Sequence, residues 1–161
     1  MMNHTRNHFC GLLFVGVLLT AVVARAFADE AQDETIKKDR KLIEGTWRVV
    51  ALEVDGNKST EEDARKITVV NGSDGTWSLR VEGNEISKGT STIGPTKKPK
   101  TIDFTPTAGE GIGNQYIGIY ELGEKTRKLC FAPPGKVRPI EFASTQGSEH
   151  ILVTLEREKS K

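Results

Sequence analysis

The sequence predicts an all-β fold, an antiparallel up-and-down β-barrel of about eight strands with one or two short helices. Short runs of alternating apolar and polar residues recur along the chain, as expected of half-buried strands. Turn-forming residues separate these runs at intervals of about eight to twelve positions, the spacing of a barrel or a sandwich. No long helical pattern lies between the runs, which argues against a parallel α/β sheet.

Nine segments show the strand pattern, and a helix signal lies between the first two. The predicted strands are Glu44–Val54, Lys66–Val70, Trp77–Val81, Glu85–Ile93, Lys100–Thr105, Gln115–Leu122, Arg127–Ala132, Pro139–Ala143 and Glu149–Glu156. The helix signal is a capping box, in which Ser59 is placed to cap and Glu62 follows three residues later. It predicts one or two helical turns that end at Arg65, with a polar loop as the alternative. Apolar residues occupy both faces of the first strand, so alternation alone leaves its inward face open.

The N-terminus shows the three-part order of a secretory signal peptide. Met1–His8 is polar and carries a basic residue, Phe9–Val23 is apolar and uncharged, and the small residues Ala26 and Ala28 form a cleavage pattern. The apolar run is shorter than the ~20 residues of a membrane-spanning helix, so no stable membrane anchor is expected. Cys10 lacks the preceding residues of a lipoprotein site. We therefore expect residues 1–28 to be removed and the protein to be secreted or periplasmic.

The mature chain is predicted to consist of a charged lead-in, residues 29–41, that is flexible or loosely helical, and one barrel domain, residues 42–158. The whole chain has 23 basic and 22 acidic side chains, and Arg6 and Arg25 leave with the signal peptide. The mature net charge is then about −1, which does not suit a nucleic-acid-binding protein. One cysteine, Cys130, remains, so no internal disulfide can form and the fold must rely on its core.

A short motif at the start of the first strand resembles the Gly-x-Trp signature of lipocalin-like barrels. The motif is Gly45-Thr46-Trp47. In those folds the tryptophan closes one end of the barrel, and a basic side chain of the last strand packs across it. Arg157 is the candidate partner because it follows Ile151, Val153 and Leu155 at a period of two. A guanidinium over an indole ring contributes ~0.5–2 kcal/mol.

Four longer segments extend together from Leu42 to Arg157, and they read LIEGTWRVVALEVDG, PTKKPKTIDF, GIYELGEKTRKLCFAPPGKVRPIEF and ILVTLER. Taken together, they are similar to a small secreted domain that recurs in planctomycete bacteria. The resemblance is most specific in Cys-Phe-Ala-Pro-Pro-Gly-Lys, and it departs from the family at Gly94 and at Gly123-Glu124, both in turns. It implies a lipocalin-like fold without an assigned function. Within this stretch, Pro133, Pro134 and Gly135 are predicted to form a rigid corner.

Catalytic and metal sites are poorly supported by the sequence. Cys130 and His150 are the candidates for a nucleophile and a base. However, Cys130 lies between apolar residues of a predicted strand, where a cysteine usually serves packing, and pairing with another molecule is the open alternative. The mature chain has one histidine and one cysteine, so it has no cluster of zinc-ligand spacing.

Two other segments invite a binding interpretation and have simpler alternatives. The acidic residues between Asp29 and Glu34 lack the spacing of a calcium loop. The glycine-rich segment Gly109–Gly113 lacks the Lys-Ser/Thr of a phosphate-binding loop, and we interpret it as a flexible barrel loop. No metal or cofactor is therefore predicted.

The remaining candidate site is the barrel interior. The alternation predicts a set of large inward side chains, and five of them are proposed as ligand-binding residues: Trp77, Leu79, Phe104, Tyr120 and Phe131. Leu122 and Leu129 belong to the same set. A barrel of about eight strands either fills its interior or leaves room for one small ligand. Aromatic residues make up only 6% of the chain, which favours a filled core.

The leading functional hypothesis is a non-enzymatic binding module, with a small apolar molecule or another extracytoplasmic protein as its partner. The first alternative is an inhibitor-like barrel that binds a protein through the Thr107–Asn114 loop and the basic segment Lys97–Lys100. Edge protection is the competing interpretation of the basic segment. The second alternative is a hydrolase that uses Cys130.

Overall fold

The structure, a computed structural model, describes residues 30–159. The chain divides into two units, Met1–Glu34 and Thr35–Lys161, and the barrel lies in the second. The predicted signal peptide, together with Asp29 of the lead-in, falls outside the described residues. Helix α1 covers residues 30–43 and helix α2 is Glu61–Arg65. The strands are β1 (Gly45–Val54), β2 (Asn57–Lys58), β3 (Ile67–Asn71), β4 (Thr76–Val81), β5 (Asn84–Gly94), β6 (Thr101–Gly109), β7 (Tyr116–Leu122), β8 (Thr126–Ala132) and β9 (Ile151–Arg157).

Eight of these strands form a closed antiparallel barrel. The order is β1-β3-β4-β5-β6-β7-β8-β9, and β9 pairs with β1 to complete the circle. Strand β2 adds only a two-residue hairpin to the end of β1. Because neighbours in the barrel are also consecutive along the chain, the fold is of the up-and-down type. The predicted lipocalin-like all-β barrel is confirmed.

The connections of this barrel alternate between its two ends. One end of the barrel lies where α1 leads into β1, and we call it the helix end. At this end Gly45 pairs with Asn71, and Trp47 pairs with Arg157. Residue 127 belongs to the same end, since it pairs with Leu155 of β9. The connection between β6 and β7 lies at the opposite end, which we call the mouth.

A β-bulge decides which face of β1 is inward. Val49 pairs with Leu155, but Ala51 pairs with Thr154, so Val50 is an extra residue in the ladder. The inward set therefore changes from odd to even positions, with Val49 before the bulge and Leu52 after it. This change explains why apolar residues occupy both faces of β1 in the sequence.

Residues 30–43 form a helix, so of the two alternatives for the lead-in, flexible or loosely helical, the described part is helical. The buried and half-buried positions 36, 39, 40 and 43 recur at helical spacing and form one face. Two of these positions are charged, and both are paired with the barrel. Asp39 is only 4% exposed, while Arg40 donates to the Ser91 hydroxyl at 2.8 Å. A charged segment that looks solvated in the sequence is thus an amphipathic helix with a polar inner face.

Helix α2 confirms the predicted short helix, although its cap lies one residue later. Thr60, not Ser59, is the N-cap, and its hydroxyl oxygen accepts a hydrogen bond from the Asp63 amide at 3.1 Å. Ala64 is the fully buried residue of this helix.

The predicted strand Pro139–Ala143 does not exist, and residues 133–150 form an irregular segment. Ile140, which suggested a buried strand, is 84% exposed. The Pro133-Pro134-Gly135 corner begins this segment as a turn, in which the Lys136 amide donates to the Pro133 carbonyl at 3.1 Å and Gly135 takes a φ of 80°. Arg138 then bonds both carboxylate oxygens of Asp103, so the segment is fixed by side chains instead of a sheet ladder.

No helix within residues 30–159 is both long enough and apolar enough to cross a membrane.

Candidate functional site

The barrel encloses a pocket of about 350 Å³, which opens towards the mouth. This volume is near the lower end of the range of small-molecule sites. Most of its lining side chains are apolar. The lining residues are Val49, Leu52, Ile67, Val69, Trp77, Leu79, Ser87, Phe104, Pro106, Glu110, Gly111, Tyr116, Arg127, Leu129, Phe131, Ile151, Val153 and Leu155. The expectation of a filled core was therefore wrong.

Small inward residues in the first part of strand β5 leave room for the pocket. The inward positions of this strand begin with Ser87, Gly89 and Ser91. Gly89 also lies at a bulge, where an added Cβ would approach the Thr105 carbonyl oxygen to 2.1 Å.

Aromatic rings form one wall of the pocket. Trp77 meets Phe104 edge to face at 5.7 Å between centroids, and Phe104 meets Phe131 at 4.7 Å. Phe131 lies over Gly118, where a Cβ would approach the ring to 2.4 Å, so this position requires a glycine. Phe104 is therefore packed between Trp77 and Phe131, and Phe131 is packed against the backbone at Gly118.

Four of the five predicted ligand-binding residues line the pocket, namely Trp77, Leu79, Phe104 and Phe131. Leu129 of the wider set also lines it. Tyr120 and Leu122 do not, although Tyr120 belongs to the core cluster.

Tyr120 is part of the contact between the barrel and α1. Its hydroxyl donates to the Asp39 carboxylate at 2.6 Å, and Lys100 bonds the same oxygen at 2.7 Å. Burial, followed by the hydrogen bond to Asp39, raises the pKa of Tyr120 above its usual value. Tyr120 therefore stays neutral and acts as a structural donor, which corrects its prediction as a ligand contact.

Trp47 and Arg157 close the helix end, as the lipocalin-like resemblance implies. The Arg157 guanidinium lies over the indole ring at 4.3 Å from its centroid. Arg157 also donates to the carbonyl oxygens of Leu42 and Glu44, and the indole N–H donates to the Ile43 carbonyl at 2.7 Å. These bonds satisfy the free carbonyl groups at the C-terminal end of α1.

The connection between β6 and β7 and the start of β5 lie at the mouth, together with α2, the turn between β4 and β5, and residues 133–150. Ser87 donates from its hydroxyl to the Glu110 carbonyl at 2.9 Å, which ties this connection to the neighbouring strand. The lining residues at this end, such as Ile151 and Tyr116, remain half-buried, whereas Val49 and Leu155 towards the helix end are buried. The pocket is thus accessible at the mouth and closed at the helix end.

Arg127 lies at the closed end of this apolar pocket and is only 1% exposed. Its Nη1 donates to the Asn71 side-chain oxygen at 3.3 Å, whereas Nε and Nη2 have no acceptor among the described residues. Burial lowers the pKa of Arg127 to about 9, and the nearby positive charges of Arg40 and Arg157 add to this effect. The guanidinium therefore keeps its charge at neutral pH in an apolar surrounding.

Arg127 was absent from the predicted site, although a signal for it exists in the sequence. It precedes Leu129 and Phe131 at a period of two, so the alternation that placed those residues inward places Arg127 inward as well. The predicted set contains only large apolar and aromatic residues, so the charged Arg127 is not part of it.

Cys130 and His150 lie on the outer side of the barrel wall, away from the pocket. The Cys130 thiol donates to the Ala143 carbonyl at 3.4 Å, and the His150 Nδ1 lies 3.3 Å from the same oxygen. Burial raises the pKa of the thiol, the opposite of the change that a nucleophilic cysteine needs. Cys130 is buried without a disulfide partner, in agreement with a packing role. Within residues 30–159, no group of three His, Cys, Asp or Glu side chains is placed to hold a metal ion.

The two loops of the inhibitor-like hypothesis lie at opposite ends of the barrel. The basic segment Lys97–Lys100 joins β5 to β6 at the helix end, whereas residues 110–115 connect β6 to β7 at the mouth. They cannot form one continuous contact surface. Edge protection does not explain the basic segment either, because both flanking strands are paired on each side.

Comparison with known proteins gives one structural likeness and no sequence match. No model of a protein family matches this sequence, and no curated protein does. The fold is similar to a DUF4847 family protein from Bacteroides vulgatus ATCC 8482, with 16% sequence identity and a TM-score of 0.40. The alignment covers 73% of this chain and 94% of that protein. A likeness at this level carries no argument about function.

Proposed function

We propose that this protein is a non-enzymatic binding module that holds one small, largely apolar molecule inside its barrel. The observation that carries the proposal is the pocket of about 350 Å³, walled by apolar side chains and closed at the helix end. An empty apolar pocket of this kind lowers stability, because the side chains around it lose packing contacts. A bound ligand restores those contacts, and its removal from water adds a driving force of about 25 cal/mol for each Å² of apolar surface.

The proposal also includes an extracytoplasmic location, as a secreted or periplasmic protein. The support is the three-part order of residues 1–28 and the resemblance to the planctomycete secreted domain. N-terminal sequencing of the protein from its native host tests this part. A mature chain that begins near Asp29 supports it, and an intact Met1 contradicts it.

A pair of matched variants on strand β3 tests binding in the pocket. Val69 lines the pocket, whereas its neighbour Val70 lies on the opposite face, and both are half-buried. The change Val69→Phe fills part of the cavity, and Val70→Phe adds the same group outside it. The readout is the enhancement of fluorescence of a neutral naphthalene dye upon binding.

We expect the unmodified protein and Val70→Phe to bind the dye with similar affinity. Val69→Phe is expected to weaken binding by about tenfold or more, because the added ring occupies volume that the dye requires. Thermal melts of both variants check that each remains folded. Equal binding by the two variants would contradict the proposal, and so would an unmodified protein that binds no apolar molecule.

A further inference from the structure

The free nitrogen atoms of Arg127 share one edge of its guanidinium group. Nη1 is occupied by Asn71, while the neighbouring atoms Nε and Nη2 are the ones without an acceptor among the described residues. The N–H groups of Nε and Nη2 point in parallel along this edge, with the spacing of the two oxygens of a carboxylate. Asn71 Nδ2 is a further buried donor without a described acceptor beside it. The closed end of the pocket therefore holds buried donors and a positive charge that have no acceptor within residues 30–159.

The protein does not supply an anion to this edge. No carboxylate within residues 30–159 forms an ion pair with Arg127. Burial and the positive side chains of Arg40 and Arg157 lower the pKa of Arg127, and Tyr120 acts in the opposite direction. Asp39, the buried carboxylate at the helix end, is already bonded to Tyr120 and Lys100. A buried charge without a partner is unfavourable for the fold, so a role in stability does not explain Arg127.

The walls between Arg127 and the mouth are apolar. From position 127 to position 131 the strand rises by roughly 13 Å, at about 3.3 Å per residue. The inward side chains along this path include Leu129, Phe131 and Val153. At ~30 Å³ for each atom of water size, the volume accommodates on the order of ten non-hydrogen atoms. A ligand that matches both the charged closed end and the apolar walls of the pocket has a charged head at one end and a hydrocarbon tail of medium length.

We propose that the pocket binds a medium-chain monocarboxylate of the fatty-acid type, with its carboxylate on Nε and Nη2 of Arg127 and its tail directed towards the mouth. This inference rests on the proposed function and adds the chemical class and the orientation of the ligand. One carboxylate fits because a single guanidinium edge offers two donors and one positive charge. Ligands with longer tails extend through the mouth, past Glu110 and Tyr116.

The test compares decanoate with 1-decanol, which has the same number of carbon atoms and no charge. Binding is measured by isothermal titration calorimetry at pH 7.5 on four proteins: the unmodified chain, Arg127→Met, Arg127→Lys and Arg80→Met. Arg80 is the matched control, because its Nε is also buried without an acceptor but its side chain does not line the pocket.

The unmodified protein is expected to bind decanoate more tightly than 1-decanol. Arg127→Met is expected to raise the dissociation constant for decanoate on the order of 10- to 100-fold and to leave that for 1-decanol almost unchanged, because it removes charge-assisted hydrogen bonds only. Arg127→Lys keeps the charge without the paired donors and gives an intermediate value. Arg80→Met binds like the unmodified protein.

A series of carboxylates from hexanoate to tetradecanoate tests the orientation. Each added methylene is expected to tighten binding by about fourfold while it lies inside the pocket, and the gain should stop once the tail passes the mouth. A tail that pointed the other way would meet the closed helix end, and affinity would then fall abruptly with length.

The outcomes separate this inference from the proposed function. If decanoate and 1-decanol bind equally to the unmodified protein and to Arg127→Met, the carboxylate assignment is wrong and apolar binding stands. If the unmodified protein binds neither compound nor the neutral dye, both proposals fail. Should Arg127→Met not fold, the comparison of the two ligands on the unmodified protein and on Arg127→Lys still shows whether Arg127 binds the carboxylate.

Discussion

Two arginine side chains near the helix end of the barrel, one half-buried and the other fully buried, differ in how their guanidinium groups are bonded. Arg157, on the outside of this end, lies over the Trp47 ring and donates to the carbonyl oxygens of Leu42 and Glu44. Arg127, inside the pocket, has a single hydrogen bond at 3.3 Å and two nitrogen atoms without described acceptors. The first arrangement satisfies the side chain within the fold. The second leaves a buried charged edge without an acceptor among the described residues, and we propose that a ligand carboxylate occupies it.

The largest effect on the stability of the fold is expected from Arg157→Met. This change removes the cation–π contact and leaves two carbonyl groups of α1 without their donor, so we expect a loss of ~2–4 kcal/mol in the free energy of unfolding. Urea denaturation, followed by tryptophan fluorescence, measures the loss. Arg157→Lys serves as the control for charge. If both variants unfold at the urea concentration of the unmodified protein, Arg157 does not have the structural role assigned to it.

Arg127→Met is expected to increase the free energy of unfolding, in contrast to Arg157→Met. Because methionine removes a buried charge and fills similar volume with apolar atoms, the ligand-free protein should gain ~1–3 kcal/mol of stability. Asn71 loses a donor in this variant, which limits the gain. The double variant Arg127→Met/Asn71→Leu removes that remaining polar group, and urea denaturation of both proteins measures the change. A destabilisation as large as that of Arg157→Met would remove the distinction between the two arginines.

The smallest effect is expected from Tyr120→Phe, at the contact between the barrel and α1. The change removes the hydrogen bond of 2.6 Å to Asp39, which keeps Lys100 as its partner, and we expect a loss of ~1–2 kcal/mol. Ligand affinity should not change, since Tyr120 does not line the pocket. Parallel urea denaturation and decanoate titration test both statements. Weaker binding at unchanged stability would mean that Tyr120 reaches the ligand after all, as the sequence first suggested.

The sequence predicted the barrel because its signals are local. Alternation and turn residues identify eight strands, and the same alternation placed Trp77, Leu79 and Phe131 on the correct face. Arg127 follows the same rule, but an arginine on an inward face conflicts with the expectation that charges lie outside. Only the surroundings of the folded side chain show that it is buried and incompletely paired.

Three other features could not be derived from local patterns. The bulge at Val50 changes the inward face of β1, and alternation assumes a ladder without extra residues. The apolar run around Ile140 resembles a strand, but closure of the barrel by β8 and β9 leaves it no sheet position. The cavity depends on the small inward residues Ser87 and Gly89, which leave space in the interior. The sequence pattern used to predict the site considers only large residues, so it does not reveal such a space.

The signal of the Arg127 Nε–H group in a ¹H–¹⁵N correlation spectrum tests the central claim most directly, with Arg127→Met used to assign it. Addition of decanoate is expected to shift this signal to higher proton frequency, because a carboxylate then accepts its hydrogen bond, while 1-decanol leaves it nearly unmoved. The Arg157 signal should stay in place with both compounds. An Arg127 signal that does not respond to saturating decanoate would contradict the assignment of this arginine as the site of the ligand carboxylate.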